Sequence, residues 1–375
     1  YRTVPNAASA IAFSREYTAK PHLAGSKTDY DTAVSVLKAI QEHLGITPPE
    51  QTPIYSAGTS ESRNATLDIP FADVPFAWID KYFPVLNTPL DRHLEVLDED
   101  GNVVWKADLE EVVDQIDEDA HKYFDAVPTW HGLSKDGNVT GQLVYAGYGT
   151  KQEYDDLVAA GTNFTGKIVI ARYGRNFRGL KVKGAQELGA VGVLIYSDLR
   201  DDGSVIVENG YKAYPHGPAR NPHSVQRGSV QFLSIYPGDP TTPGFPSYED
   251  ANRTLGENIP SVPSLPISWV NAQALLKEVQ GGGANRTVRL VNHVDQKVTP
   301  IWNTMAYIPG HIKDEVVVVG NHRDGTIQVL GASDPTSGTV SLNEVIRGLG
   351  ALYEKGWRPH RTILIASWDG EEVYL

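Results

Sequence analysis

The sequence predicts an α/β fold, in which strands of a sheet alternate with helices that cover it. Apolar runs of strand length alternate with helical patterns in the middle and last thirds of the chain. The 375 residues exceed one ordinary domain. Composition also shifts near residues 90 and 297. We therefore expect domain boundaries near these two positions, with either two domains or one domain that is interrupted by another.

The first third contains one well-defined amphipathic helix, predicted over residues 29–44. Asp29 is a possible N-cap, and Gly45 stands where a helix commonly ends. One helical face carries Ala33, Val36, Leu37, Ile40 and Leu44. We expect this face to pack on a core.

The middle third predicts a βαβ unit followed by a long loop region. Its expected elements are a hairpin at 94–105, strands at 141–148, 167–173, 190–196 and 287–294, and helices at 181–188 and 271–279. Residues 205–268 are rich in Gly and Pro, which favours a loop-dominated surface. Long ordered loops of this kind commonly carry function.

The last third again alternates strands with a helix. Strands are expected at 301–308, 315–320 and 362–367, and a helix at 337–353. The four valines at 316–319 are apolar on both faces, which is typical of a central strand covered by helices. In such sheets ligands bind beyond the carboxyl ends of the strands, so the polar residues that follow these strands are the first candidates for a site.

The charge of the chain excludes several classes of partner. It has 46 acidic against 33 basic residues and a formal net charge of −13, so its surface repels nucleic acid and anionic membranes. Its apolar runs are strand-sized, far short of the roughly 20 residues that span a bilayer. We expect no nucleic-acid partner and no membrane contact by this segment.

Five Asn-X-Thr sequons favour a glycoprotein of the secretory pathway. The chain has no cysteine, so disulfides cannot report the compartment. Sequons are glycosylated only in the secretory lumen. We therefore expect a secreted, vacuolar or extracellular location. The acceptor residues are Asn64, Asn138, Asn163, Asn252 and Asn285.

His322 and Asp334 follow the four-valine strand and are candidate metal ligands. Asp324 could hold the second ring nitrogen of His322 as a supporting carboxylate. Taken alone, a histidine after a strand is more often an ordinary surface or core residue. Asp334 precedes the predicted helix, so an N-cap is an equally good interpretation of that residue on its own.

Three carboxylates follow the next strand: Asp369, Glu371 and Glu372. Carboxylates crowded in a crevice raise one another's pKa unless a cation is present. One of two adjacent glutamates can then bind a metal while the other acts as a general base toward water. The alternative is a solvated acidic turn. Nitrogen and carboxylate ligands without thiolates fit zinc, with manganese or cobalt as poorer alternatives.

At these positions the sequence resembles the transferrin receptor and glutamate carboxypeptidase II family of co-catalytic zinc peptidases. The resemblance covers nearly the whole chain, and it implies a zinc-exopeptidase-like mixed sheet flanked by helices. It further implies that residues 1–90 and 298–375 are two parts of this peptidase domain and that residues 91–297 are an inserted, β-rich protease-associated (apical) domain. The strings that carry it are Gly-Asn-His-Arg-Asp at 320–324, Ser-Asp-Pro-Thr-Ser-Gly at 333–338, residues 356–372 ending in Trp-Asp-Gly-Glu-Glu, Lys-Pro-His-Leu-Ala-Gly at 20–25, and residues 166–174 and 225–228 of the insertion.

The resemblance implies a site with two Zn²⁺ and a role for each residue. His322 would bind one zinc, Asp334 would bridge both, and Glu372 would bind the second. Glu371 would be the general base, and Asp324 would orient His322. The expected substrate is a small peptide, and the complete protein is expected to be a homodimer.

The resemblance also implies two sites that involve the insertion. In the carboxypeptidase branch an arginine of the inserted domain binds the terminal carboxylate of the substrate, and Arg172 occupies that position. An arginine that stabilises its own domain is an equally good interpretation, because Ser229 replaces an asparagine expected nearby. The structural Ca²⁺ of the family implies a site at Thr242 and Phe245, the latter through its carbonyl oxygen.

The sequence departs from the family pattern in two places. The loop between His322 and Asp334 is slightly longer and lacks a tryptophan after Arg-Asp. The family also takes a further aspartate and a further histidine ligand, and its dimerisation helices, from sequence beyond the Glu-Glu pair, whereas this chain ends at Leu375. We therefore expect the chain to be part of a longer polypeptide and to be inactive alone.

Three functions are compatible with these residues. The first is a zinc exopeptidase, with a carboxypeptidase favoured over an aminopeptidase. The second is a non-catalytic binding protein of the transferrin receptor kind, which the retained ligand positions argue against. The third is a structural α/β protein with solvated acidic loops, which would require several coincidences.

Overall fold

The computed structural model describes residues 3–111, 116, 120–123, 127–280, 285–325 and 331–374. The chain divides into two compact units. The first contains Tyr1–Val85, Gly244–Thr254 and Val298–Glu372, and the second contains Leu86–Pro243, Leu255–Lys297 and the last three residues. The predicted insertion, 91–297, therefore includes one stretch, 244–254, that packs in the first unit.

Helices and strands alternate along much of the described chain. The helices are α1 (Ala7–Tyr17), α2 (Lys27–Leu44), α3 (Ser60–Leu67), α4 (Lys151–Ala159), α5 (Arg178–Glu187), α6 (Trp269–Gln280), α7 (Thr336–Glu354) and α8 (Glu371–Tyr374). The strands are β1 (Ile54–Ser56), β2 (Phe76–Tyr82), β3 (Val85–Leu97), β4 (Val103–Lys106), β5 (Gly137–Gly141), β6 (Leu143–Tyr145), β7 (Ile168–Arg172), β8 (Gly192–Tyr196), β9 (Ser264–Ile267), β10 (Thr287–Val298), β11 (Ile301–Ile308), β12 (Ile312–His322) and β13 (Arg361–Trp368). None of these described helices is both long and apolar enough to cross a membrane.

A five-stranded mixed sheet with the order β1-β2-β11-β13-β12 forms the centre of the first unit. β12 and β13 run parallel, whereas β11 is antiparallel to both of its neighbours. Helices α2 and α7 pack together, and their apolar faces share one core with the sheet. Burial of these side chains away from water stabilises the unit. The core includes Ala33, Leu37, Ile40, Ala306, Ile308, Leu342, Ile346 and Ile365.

Helix α2 begins at Lys27, and its N-cap is Ser26 rather than the predicted Asp29. The Ser26 hydroxyl oxygen accepts the Asp29 N–H at 3.2 Å. Asp29 lies in the first turn with a fully buried side chain, and its carboxylate accepts the Gly25 N–H at 3.0 Å. The short serine side chain reaches its own helix, so the aspartate can face the interior. The predicted end of the helix is confirmed, because Gly45 adopts a φ of 65°.

Gly350 on α7 determines how closely α7 approaches α2. A Cβ placed on Gly350 would lie 1.9 Å from the backbone oxygen of His43 on α2. We expect Gly350→Ala to lower the free energy of unfolding by about 1–3 kcal/mol through overpacking, although alanine at an exposed helical position raises it by about 1 kcal/mol. Urea unfolding of the two proteins tests the sign. A variant as stable as the parent would contradict this close packing.

Strand β12 is not the covered central strand that the sequence predicted. Within the described residues it forms the edge of the five-stranded sheet and pairs with β13. Val316, Val317 and Val318 are 41%, 46% and 56% exposed. A run of valines indicates a preference for apolar neighbours. It does not determine which part of a polypeptide supplies them.

The second unit contains two four-stranded sheets among its described residues. One has the order β4-β3-β10-β5, with antiparallel pairing of β3 with β4 and of β10 with β5. The other, β6-β7-β8-β9, is parallel throughout. Helix α5 connects β7 to β8, as the predicted βαβ unit requires. The two units together confirm an α/β fold with a mixed sheet and a β-rich second part.

The strand predicted at 141–148 is two short strands in different sheets. β5 ends at Gly141 and pairs with β10, whereas β6 begins at Leu143 and pairs with β7. A Cβ on Gly141 would lie 2.4 Å from the backbone oxygen of Gly166. Glycine therefore permits the close backbone approach at which the chain passes from one sheet to the other.

Candidate metal centre

The predicted site residues of the first unit lie at the carboxyl ends of two adjacent parallel strands. β12 ends at His322, which is aligned with Trp368 at the end of β13. Helix α8 follows β13 and carries Glu371 and Glu372 in its first turn. Because parallel strands end at the same edge of a sheet, the imidazole of one segment meets the carboxylates of the other.

His322, Glu371 and Glu372 form a group whose ligand atoms all lie within 4.8 Å of one another. His322 Nδ1 lies 3.8 Å from Glu371 Oε2, and His322 Nε2 lies 3.1 Å from Asp334 Oδ1. Glu372 is buried, whereas the Glu371 side chain is 34% exposed and so can meet solvent. The structure therefore brings together all four residues that the sequence predicted as ligands or base.

Asp324 connects the two segments of the site. Its fully buried carboxylate accepts the backbone N–H groups of Glu371 at 3.1 Å and Glu372 at 3.2 Å. The same carboxylate lies 3.6 Å from His322 Nδ1, and the Asp324 backbone oxygen lies 3.2 Å from that nitrogen. A negative charge is favourable at the first N–H groups of a helix. Asp324 therefore fixes the backbone of both glutamates as well as the ring of His322.

Asp334 does not cap α7, so the alternative interpretation of this residue was wrong. Pro335 occupies the N-cap position, and no side chain there caps the helix. Asp334 is exposed, with Oδ1 next to the His322 ring. A Cβ on Gly338 would lie 2.0 Å from Asn321 Oδ1, so glycine lets the first turn of α7 pack on the end of β12. This packing places Asp334 beside His322.

The charge balance of this group fits a divalent cation. Burial lowers the pKa of His322, but the carboxylates of Asp324, Glu371 and Asp334 outweigh burial and raise that pKa to about 9. The site therefore stabilises a positive charge at the imidazole. Its donors are one imidazole nitrogen and three carboxylates, with no thiolate, and this set is compatible with zinc.

Four buried residues near the site received no individual role in it from the sequence: His22, Asp29, Arg323 and Asp369. The His22 backbone oxygen accepts the Gly325 N–H at 3.2 Å, and Arg323 pairs with Asp29 at 2.9 Å. His22, Arg323 and Asp369 do belong to three of the strings that carry the family resemblance. Their position in these strings is the sequence signal that could have identified them as part of the site.

Arg172 ends β7 in the second unit. Its guanidinium stacks on Tyr148, 3.9 Å from the ring centre, and lies 3.5 Å from carboxylate oxygens of Asp198 and Asp201. Asp198 is held more closely by Arg200, at 2.6 Å. Arg172 and Arg200 both line a cavity of about 350 Å³ in this unit. Arg172 is therefore anchored by its neighbours and faces a space large enough for a small ligand.

The remaining predicted positions are spread over both units. Thr242 is buried in the second unit, whereas Phe245 belongs to the first and is 78% exposed. Their use as a calcium site stays a prediction. Ser229 is buried, and its hydroxyl oxygen accepts the Gln231 N–H at 3.1 Å. All five sequon asparagines are exposed, as glycosylation requires: Asn64, Asn138, Asn163, Asn252 and Asn285.

Comparison with known proteins gives the family of this chain. Residues 303–375 match Peptidase family M28, and residues 139–231 match the PA domain. The chain is 42% identical over 349 residues to a probable glutamate carboxypeptidase of Arthroderma benhamiae. It is 33% identical over 316 residues to transferrin receptor protein 2 of Mus musculus. The chain belongs to the glutamate carboxypeptidase and transferrin receptor family.

The chain spans less than half the length of these members of the glutamate carboxypeptidase and transferrin receptor family. The two matches cover 86% and 78% of this chain but 48% and 36% of the relatives. Vacuolar protein sorting-associated protein 70 of Saccharomyces cerevisiae is 34% identical, over 85% of this chain and 42% of its own length.

Solved peptidase structures share the fold of this chain. The Peptidase M28 precursor of Shewanella amazonensis superposes with a TM-score of 0.55 at 14% identity, covering 99% of this chain and 66% of that one. An aminopeptidase from Aneurinibacillus sp. strain AM-1 gives a TM-score of 0.53 at 15% identity, covering 99% and 64%. Together with the M28 and PA matches, these structures confirm the predicted zinc-exopeptidase-like fold with its protease-associated insertion.

Proposed function

We propose that this chain contributes to the active site of a zinc-dependent exopeptidase that hydrolyses small peptides in the manner of a glutamate carboxypeptidase. The observation that carries the proposal is the meeting of His322, Asp334, Glu371 and Glu372 at the ends of β12 and β13. Membership of the glutamate carboxypeptidase and transferrin receptor family supports it. The activity is proposed for the whole polypeptide, of which this chain supplies these residues.

Each residue has a distinct task in the proposed reaction. His322, Asp334 and Glu372 would hold zinc in the complete site. Bound zinc supplies a Lewis acid that lowers the pKa of water and polarises the peptide carbonyl. Glu371 accepts a proton from the attacking water and returns it to the departing amine as the C–N bond breaks. Asp324 holds the backbone of Glu371, so the Glu371 carboxylate stays in reach of the attacking water.

The end of the peptide that is attacked can be decided with blocked substrates. A carboxypeptidase is expected to lose hydrolysis when the terminal carboxylate of a peptide ending in glutamate is amidated. An aminopeptidase of the same family is expected to lose hydrolysis when the amino terminus is acetylated. If the zinc-loaded full-length protein hydrolyses neither a peptide ending in glutamate nor an unblocked aminoacyl substrate, the result contradicts the proposed peptidase activity. A transferrin-receptor-like binding protein is then favoured, as the similarity to the mouse receptor allows.

Arg172 is proposed to bind the terminal carboxylate of the substrate through its guanidinium fork. We expect Arg172→Met to raise KM for peptides ending in glutamate by about 10- to 100-fold. This factor corresponds to the usual net free energy of a hydrogen bond to a charged group. Arg175→Met is the matched control, because Arg175 also stacks on Tyr148, at 4.4 Å, and has the same charge. Equal KM values in both variants would show that Arg172 has only a structural role.

The proposal includes a lumenal, glycosylated, dimeric protein with a structural calcium at Thr242 and Phe245. The five exposed sequons support lumenal exposure, and the similar yeast protein is named for vacuolar protein sorting. Digestion of the native protein with an endoglycosidase is expected to reduce the mass of the peptides that contain the sequons. Unmodified asparagines at all five positions would contradict the lumenal location.

A further inference from the structure

Arg323 is a buried cation between two residues of the candidate metal centre. It separates His322 from Asp324 in the sequence, and it is 1% exposed. Its Nε donates to Thr32 Oγ1 at 3.0 Å, and its Nη2 donates to Asp29 Oδ1 at 2.9 Å. Both acceptors lie in the first turns of α2. Arg323 therefore ties the segment that carries His322 to a helix remote in sequence.

The same guanidinium also reaches two strands of the sheet. Nη1 donates to the Ser367 backbone oxygen at 3.4 Å and to the Ser367 hydroxyl oxygen at 3.3 Å, near the end of β13. Nη2 donates to the Trp302 backbone oxygen on β11 at 3.1 Å and lies 3.4 Å from Asp369 Oδ2. Asp369 in turn accepts the Trp302 N–H at 2.7 Å. Arg323 thus joins α2, β11 and the turn that leads from β13 into α8.

Backbone geometry links Arg323 to the metal-site side chains. The Arg323 N–H donates to the Trp368 backbone oxygen at 2.8 Å, which extends the pairing of β12 and β13 by one residue. Side chains alternate in an extended segment, so His322 and Asp324 project to one side and Arg323 to the other. Displacement of Arg323 would therefore move both neighbours, and with Asp324 the N–H groups of Glu371 and Glu372.

We propose that Arg323 and Asp29 form a positioning pair, in which α2 fixes the orientation of His322 and Asp324 and thereby the metal affinity of the centre. This inference rests on the proposed zinc site. It gives α2 a role in the centre, although α2 contributes no candidate ligand. Arg323 acts through its neighbours and does not itself contact metal or substrate.

The charges around Arg323 suit a geometric role better than a purely stabilising one. The carboxylates of Asp29 and Asp369 lie 2.9 and 3.4 Å from the guanidinium, so the buried charge is paired. A buried ion pair is often no more stabilising than apolar side chains of similar volume. A planar guanidinium, however, fixes direction, because its donors form a rigid fork with defined acceptors. Apolar packing cannot specify the rotation of the segment in this way.

The test compares cobalt binding with folding in the full-length polypeptide. Asp29→Leu and Arg323→Met are combined with Asp369→Asn, so that no buried carboxylate loses its cation, and this variant should keep the unit folded. Arg323→Lys keeps the charge but loses the fork. Glu344→Gln is the control, because Glu344 is a buried carboxylate of the same unit that accepts the Asn6 N–H at 3.0 Å and pairs with Arg347 at 2.6 Å.

We expect both pair variants to bind Co²⁺ about 10- to 100-fold more weakly than the parent, as loss of supporting contacts does at other metal sites, with a shifted visible absorption band. The control should lower the melting temperature without changing either property. Folded pair variants with the parent's cobalt affinity and spectrum would overturn the positioning role, as would equal weakening in the control. A parent protein that binds no cobalt at His322 would instead refute the proposed metal site itself.

Discussion

Replacing Glu371 by Gln is expected to leave zinc bound and to lower kcat for peptide hydrolysis by about 10²- to 10⁴-fold, the usual contribution of a general base. Glutamine has the size of glutamate but cannot accept a proton. The backbone N–H of residue 371 would still donate to Asp324, so α8 should keep its place. The loss should therefore appear in kcat, with little change in stability.

The measurement pairs zinc content with steady-state kinetics on the full-length protein. Glu354→Gln is the matched control, because Glu354 is an exposed glutamate of the same unit and the substitution removes the same charge. Turnover close to that of the parent in zinc-loaded Glu371→Gln would show that another group is the base. Loss of zinc from that variant would assign Glu371 to metal binding.

Asp324→Asn is expected to weaken zinc binding by about 10- to 100-fold, because Asp324 supports both halves of the site. Its two carboxylate oxygens accept separate N–H groups, those of Glu371 and Glu372. An asparagine has only one side-chain acceptor, so its NH₂ group would face one of those donors. The variant also loses the negative charge beside His322, which lies 3.6 Å away.

Zinc affinity is measured by competition with a chromogenic chelator. Asp314→Asn serves as the control, because Asp314 is an exposed aspartate near the start of β12 and its loss changes the net charge equally. We expect the control to bind zinc like the parent. An Asp324→Asn protein that is folded and retains the parent's affinity would contradict the supporting role of this carboxylate.

Much of the fold could be predicted because local patterns report burial. The apolar runs of β7, β8, β11 and β13 and the helical periodicity of α2 and α7 gave elements of the right type. Two differences between the sequence-based expectation and the described residues have a common cause. Strand order and strand neighbours depend on distant segments, so the edge position of β12 and the division between β5 and β6 are not encoded in the runs themselves.

The site could be predicted in part for a related reason. Parallel strands end at one edge of a sheet, so polar residues after β12 and β13 were expected to meet, and His322, Glu371 and Glu372 do so. The contacts that support them were beyond the sequence. Asp29 has the pattern of an N-cap, and nothing in that pattern indicates a pair with Arg323 across 294 positions of chain.

The most direct test is an anomalous difference map at the zinc absorption edge from crystals of the full-length protein grown with zinc. We expect peaks within bonding distance of His322, Asp334 and Glu372, at about 2.0–2.2 Å from their nitrogen and oxygen atoms. The Glu371→Gln protein should show the same peaks. A map with zinc elsewhere and none at these side chains would contradict the account of this chain as part of a zinc peptidase.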